Sequence, residues 1–278
     1  MLLTALAMCA FAANSILNRV AVDHGWITAQ GFATIRVAAG AGMLLVLALA
    51  QRQRLSFLGA RRWGGAVSLA VYMIGFSLAY QSLDAGAGAL ILFGATQVAM
   101  FAIACLLPNP PAPRQIAGAG VAFLGLAWVL WPGANATVPL SGAALMVCAG
   151  LGWAVYTLLG RAEPQALAGT AANFILALPL TAAVPLIQGA SLQGNWAGVT
   201  LAVISGAVTS GLGYALWYRI LPRLSSATAA TVMLSVPVIA LLAGVVLLNE
   251  AASPRLLVGT LVVLGGIAWA VRPKQGGV

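Results

Sequence analysis

The sequence predicts an all-α polytopic membrane protein of ten transmembrane helices, arranged as two inverted five-helix repeats. Three observations carry this. Of 278 residues, 62% are hydrophobic and 6% charged, with mean hydropathy +1.02, a balance that a water-exposed surface could not carry. Cutting the chain at charges, prolines and glycine clusters leaves ten apolar stretches, each close to the ~20 residues a helix needs to cross the hydrocarbon core. Finally, residues 113–132 (PRQIAGAGVAFLGLAWVLWP) recur as 254–273 (PRLLVGTLVVLGGIAWAVRP), 141 positions later, with eight of twenty positions identical. An echo at half the chain length marks a duplication, and five crossings per copy, an odd number, turn the second copy upside down.

The ten stretches are 2–19, 28–50, 63–82, 86–107, 114–131, 141–160, 166–188, 196–218, 226–248 and 254–271. In the first, Ala10-Phe11-Ala12 could pass for a signal-peptidase site, but no basic segment precedes it and the same pattern returns near residue 150. A retained helix is therefore expected. Helix 1 ends FAANSILNR (11–19) and helix 6 ends WAVYTLLGR (153–161), placing an aromatic, a polar face and a terminal Arg at matching positions. Helices 4 and 9 also correspond, with Thr96 standing where Pro237 stands and Asn109 where Glu250 stands. The repeats are expected at 1–132 and 141–273, joined by a linker at 133–140 and followed by a tail at 274–278. Little is left for a soluble domain.

The net charge of +9 and pI near 10.5 do not imply a nucleic-acid partner, because the basic residues lie in short clusters between apolar runs rather than on one polar face. Topology accounts for them. One side of the ten-helix arrangement collects Arg52, Arg54, Arg61, Arg62, Arg114, Arg161, Arg219, Arg223, Arg272 and Lys274, and the other has Arg19 and Arg255. Basic loops stay in the cytoplasm, so both termini are expected there. Cys9, Cys105 and Cys148 all fall within apolar stretches, an odd scattered set with neither disulfide nor zinc spacing, and core positions are expected for them.

An aromatic and an Asn in helix 1, Arg36 within helix 2, a Pro in helix 9 with Glu at its end, and the P-R-x-x-x-G start of helix 10 resemble the EamA repeat of the drug/metabolite transporter superfamily. The likeness covers essentially the whole chain, and among ten-helix members it is most like the YddG-type exporters of aromatic and other amino acids in bacterial inner membranes. The first half departs from the pattern, with Thr96-Gln97 for the helix Pro and Asn109 for the acid. The resemblance implies a central cavity lined by helices 1, 3, 4, 6, 8 and 9, with helices 5 and 10 peripheral.

Polar groups at membrane depth are costly unless paired or facing water, which makes them functional candidates. Asn14, Asn18, Gln81, Gln97 and Asn173 qualify. With the aromatics Tyr72, Tyr80, Trp153, Tyr156, Tyr214, Trp217 and Tyr218 they fall mostly on the helices the resemblance assigns to a cavity. The expected substrate-binding residues are Asn14, Tyr72, Tyr80, Gln81, Gln97, Trp153, Tyr156, Tyr214 and Trp217. The bland alternative for each is a helix-bridging hydrogen bond or an interfacial aromatic belt, which claims Trp26, Trp63 and Trp196 and has Trp217 or Tyr218 as further candidates. Arg36, Glu250 and Pro237 are structural or gating candidates. Arg36 lies about two turns into helix 2, with Asp23, Asp84 and Glu250 on the same side as its expected ion-pair partners; an ion pair that pins helix 2 is the expectation, and a substrate clamp is the alternative. Pro179, Pro185 and Pro237 are expected to interrupt helices 7 and 9. His24, beside Asp23, reads as a solvated loop residue. Glycine pairs such as Gly86/Gly88 and Gly150/Gly152 suit close helix packing rather than a phosphate cradle.

A membrane enzyme would need a nucleophile with its base, paired carboxylates or a metal cluster, and four acids near helix ends with one His supply none of these. No cofactor or metal is expected. The reading is a secondary transporter that exports small metabolites, amino acids foremost, by alternating access. The alternatives are export of another small solute or drug with proton coupling through Glu250, and a channel-like permease. The partners are a small-molecule substrate and the bilayer, and the arrangement is compatible with a monomer.

Overall fold

The computed structural model describes residues 2–106, 111–131, 138–161, 163–187, 193–220, 223–224 and 232–271. These form ten helices: α1 (Leu2–Asp23), α2 (Ala29–Ala50), α3 (Ala60–Ala79), α4 (Ala85–Cys105), α5 (Pro113–Leu130), α6 (Leu140–Gly160), α7 (Ala166–Ile187), α8 (Trp196–Ile220), α9 (Ser235–Leu248) and α10 (Pro254–Val271). Eight are long and apolar enough to cross a membrane. The others are α3, which opens with Arg61 and Arg62, and α9, of which 14 residues are described. The first part of the expected ninth stretch, 226–231, lies outside the described residues.

Local chemistry sets the helix ends. Thr28 Oγ1 accepts from Gly31 N at 3.1 Å to cap α2, and Asn195 Oδ1 accepts from Gly198 N at 2.9 Å to cap α8. Prolines open α5 and α10, where a missing N–H costs no helical bond. Asn249 ends α9 in the left-handed conformation at φ 55°, and Glu250 N donates back to Gly244 O at 3.1 Å. That turn folds Glu250 toward the start of α4.

Two symmetry-related sets of contacts build the bundle. α6 packs on α3 and α4, and α1 packs in the same way on α8 and α9. The echoed segments α5 and α10 pack against each other. A Cβ on Gly118 would lie 2.6 Å from Gly266 O, and one on Gly259 would lie 3.6 Å from Gly125 O. The 141-residue shift turns the first pair into the second, which is how a two-fold axis relates contacts between equivalent units. Small residues at these positions let the backbones approach closely.

Two expectations about the helices are corrected. Pro179 and Pro185 lie inside α7 without ending it. Pro185 has no N–H for Thr181 O, and that carbonyl instead accepts from Thr34 Oγ1 on α2 at 3.3 Å. Pro237 lies in the first turn of α9 as described, preceded by Leu234 with helical backbone angles, and the stretch immediately before Val232 lies outside the described residues. Cys9, Cys105 and Cys148 are exposed on the outer surface of the bundle and do not fill its core.

Candidate functional site: a central cavity between two charge clusters

At the centre, Phe11, Asn14 and Ser15 of α1, Tyr72 and Phe76 of α3, Leu92 and Phe93 of α4, Trp153 of α6 and Tyr214 of α8 line a cavity of ≈ 20 Å³. That is room for about one water molecule and not for a metabolite. Its aromatic walls are related by the repeat, since a shift of 142 carries Phe11 to Trp153 and Tyr72 to Tyr214. The rings interlock: Trp153 lies 4.9 Å from Tyr72 and 5.4 Å from Tyr214, and Tyr214 stands edge-on to Phe11 at 5.6 Å.

The polar side of the cavity rests on an unusual stretch of α8. Ser205–Leu212 winds as a π-helix, a geometry often found at functional sites. It turns Ser205, Thr209 and Ser210 toward Asn14, whose Oδ1 accepts from their hydroxyls at 2.8, 2.6 and 3.4 Å. Gly206 permits the approach, because any Cβ there would fall on the Arg36 carbonyl oxygen.

Arg36 is fully buried and its expected acidic partners do not reach it. Its Nε donates to Ser210 Oγ at 3.1 Å and its Nη2 to the Tyr72 hydroxyl at 3.1 Å. The guanidinium packs over Phe76 at 4.9 Å and Tyr72 at 5.5 Å. Nη1 has no partner among the described residues. The ion-pair expectation is thus corrected: the three carboxylates gather about Arg19, nearer the helix ends.

At that end, Arg19 lies 2.9 Å from Asp23, 3.4 Å from Asp84 and 3.6 Å from Glu250, and donates to Tyr80 O at 3.2 Å. Glu250 accepts from Ala85 N at 2.8 and 2.9 Å, which places its carboxylate on the N-terminus of α4. Burial pushes the Glu250 carboxyl above its ordinary value, and the Ala85 N–H bond opposes part of that rise. At the opposite end, Arg62 lies 2.7 Å from Glu163 and donates to Gly169 O at 2.8 Å and Asn173 Oδ1 at 3.3 Å, tying α3 to α7.

The structure thus brings Asn14, Tyr72, Trp153 and Tyr214 together around the cavity. Trp217 continues the aromatic wall at 6.1 Å from Phe11. Tyr156 stacks on Trp153 at 5.4 Å and reaches the Arg62–Glu163 cluster. Tyr80 and Gln81 are placed elsewhere. Tyr80 is buried beneath the Arg19 cluster, edge-on to Phe76 at 4.8 Å. Gln81 lines an open groove of ≈ 680 Å³ with Trp26, Thr28, Gln193 and Asn195. Gln97 is buried on α4 one turn beyond Phe93 and is not among the cavity-lining residues. Asn18 donates to Ser77 Oγ at 2.8 Å, and His24 is exposed beside Trp26. Sequence reasoning missed the roles of Arg19, Arg62 and Glu163. The clue available was that four acids and the arginines facing them cluster at the two ends.

This arrangement is that of a polytopic transporter, with a small central site and paired charges across the helices at each end. Residues 140–272 match the model of the EamA-like transporter family, which gives this chain an EamA domain of the drug/metabolite transporter superfamily. An uncharacterized protein of Pseudomonas aeruginosa is 46% identical over 276 residues, covering 99% of this chain and 96% of its own. The threonine/homoserine exporter of Escherichia coli is 28% identical over 238 residues, covering 82% and 77%. A solved crystal structure superposes with TM-score 0.67 at 19% identity over 96% of this chain and 97% of the other.

Proposed function

We propose that the protein exports amino acids or similar zwitterionic metabolites from the bacterial cytoplasm by alternating access across the inner membrane. The observation that carries this reading is the cavity itself, which is aromatic and neutral-polar, too small for a substrate as it stands, and flanked by one charge cluster at each end. In this reading the present state is occluded, and opening the Arg19 or the Arg62 cluster admits substrate from one side at a time. Similarity to an exporter of threonine and homoserine supports amino acids as the class. The aromatic walls support the narrower YddG-type reading, with aromatic amino acids among the substrates. The two repeats, 1–132 and 141–273, would rock about the α5–α10 contact, with both termini and the Arg62 cluster on the cytoplasmic side.

Counterflow of the twenty amino acids in proteoliposomes tests the proposal. Saturable exchange for a subset is expected. Flux that rises linearly without saturation would identify a channel instead. A second reading, coupling to protons, is favoured by one observation: Glu250 is partly buried and its carboxyl is pushed upward.

A further inference from the structure

The chain has four acidic side chains in all, and each is already engaged: Asp23, Asp84 and Glu250 with Arg19, and Glu163 with Arg62. Arg36 is therefore a fully buried cation that pairs with none of these four side-chain carboxylates. Its observed hydrogen bonds are to two neutral hydroxyls, and Nη1 makes none among the described residues. A guanidinium in that state is costly at membrane depth, and an approaching anion lowers the cost further than neutral hydroxyls and rings do. The location fits such a role. Tyr72 and Phe76, the rings that hold the guanidinium, are cavity walls, and Ser210 links it to Asn14, a third wall residue. The Tyr72 hydroxyl accepts from Arg36 and keeps its own O–H as a donor.

We propose that Arg36, together with the Tyr72 hydroxyl, binds the carboxylate of the transported substrate. This inference rests on the export reading above and adds to it the group that is recognised. The incoming carboxylate supplies the counter-charge that the fold withholds, so a ligand without one leaves Arg36 unbalanced. The planar fork suits a carboxylate, and the aromatic cavity beyond it suits an apolar or hydroxylated side chain.

The test uses wild-type protein in proteoliposomes with L-threonine and L-phenylalanine, each beside its carboxamide. The acids should be exchanged with about 10- to 100-fold higher efficiency than the amides, the range expected of one charge-assisted recognition contact. Arg36→Met, which removes the buried charge while keeping an unbranched apolar side chain, should abolish that preference. Arg36→Lys should retain part of it. Equal exchange of acid and amide by wild type would overturn the carboxylate role while leaving the export reading intact. Exchange of none of the four compounds would overturn the amino-acid reading and this inference with it. Because the acid–amide comparison is made on wild type, it stands even where Arg36→Met lowers the folded yield.

Discussion

Replacing Arg19 with glutamine would leave Asp23, Asp84 and Glu250 facing one another at one end of the bundle. Arg19 and Glu250 are separated by 3.6 Å, and their side chains are 16% and 9% exposed. At an effective dielectric of about 20 that pair is worth about 5 kcal/mol of gross attraction. Much of this is offset by the hydration both ions give up. Asp23 and Asp84 are 48% and 44% exposed, so each adds about 0–1 kcal/mol. A net loss of about 2–3 kcal/mol from the closed state follows, equivalent to about 30- to 150-fold in its population relative to a state open at this end. Ser15 lines the cavity and provides the reporter. In protein with Cys9, Cys105 and Cys148 replaced by alanine, a Ser15→Cys side chain should react with an impermeant maleimide applied at the Arg19 end faster by that factor once Arg19→Gln is added. Combining Arg19→Gln with Glu250→Gln should return most of the protection, because the most buried unpaired charge is then gone. A single variant that folds normally yet labels less than about threefold faster would refute the idea that this cluster holds the end closed.

Other substitutions read the packing and the pH response. Gly206→Ala should force α2 and α8 apart and cost about 1–3 kcal/mol or more in thermal unfolding, whereas Gly42→Ala, whose added Cβ meets nothing within 4 Å, should be neutral or stabilising. The single Thr34 O–H is shared between Gln30 O at 2.9 Å and Thr181 O at 3.3 Å, so Thr34→Val should cost about 0.5–1.5 kcal/mol, and Pro185→Ala should recover part of it by restoring the missing helical N–H. Burial raises the Glu250 carboxyl in the closed state above its hydrated value of 4.5, so a proton binds the closed state more tightly. The resulting stabilisation of closure is present at and below that value and is lost as pH rises through the raised one. Counterflow should therefore slow as the Arg19 side is acidified, and Glu250→Gln should flatten the profile. An imposed pH gradient should drive no accumulation above the external concentration, since the described carboxylates all lie toward the helix ends. Uphill accumulation abolished by Glu250→Gln would instead make Glu250 the coupling residue.

The helices were legible because hydrophobic length, proline starts and charge clusters act locally along the chain. The echo of Pro113 and Pro254 also carried across to the contact pairs of α5 and α10, where spacing conserved within each copy becomes symmetry between copies. The π-helical stretch in α8 was not legible. It depends on Gly206 lying against the Arg36 carbonyl and on Asn14 drawing three hydroxyls toward one oxygen, contacts between segments nearly two hundred residues apart. The continuity of α7 through Pro185 was hidden for the same reason, because the hydroxyl that makes it tolerable sits on α2.

The misplacement of the ion pairs follows from what a topological reading can resolve. Counting loops assigns a charge to one side of the membrane but gives little about its depth and nothing about the helix it faces, so Arg36 and Arg19 were equally eligible for the same acids. Two local features decide between them. The left-handed Asn249 turn carries Glu250 onto the N-terminus of α4, at the level of Arg19 rather than two turns deeper. Asp23 lies one turn after Arg19 on α1, close enough for a 2.9 Å contact. With the acids held at the ends, the middle of the bundle keeps a cation, hydroxyls, an amide and aromatic rings. Ends closed by paired charges can open at modest cost when water enters. A centre holding an unbalanced cation gains most from an anion that arrives from outside, so the distribution of only four acids separates gating from recognition.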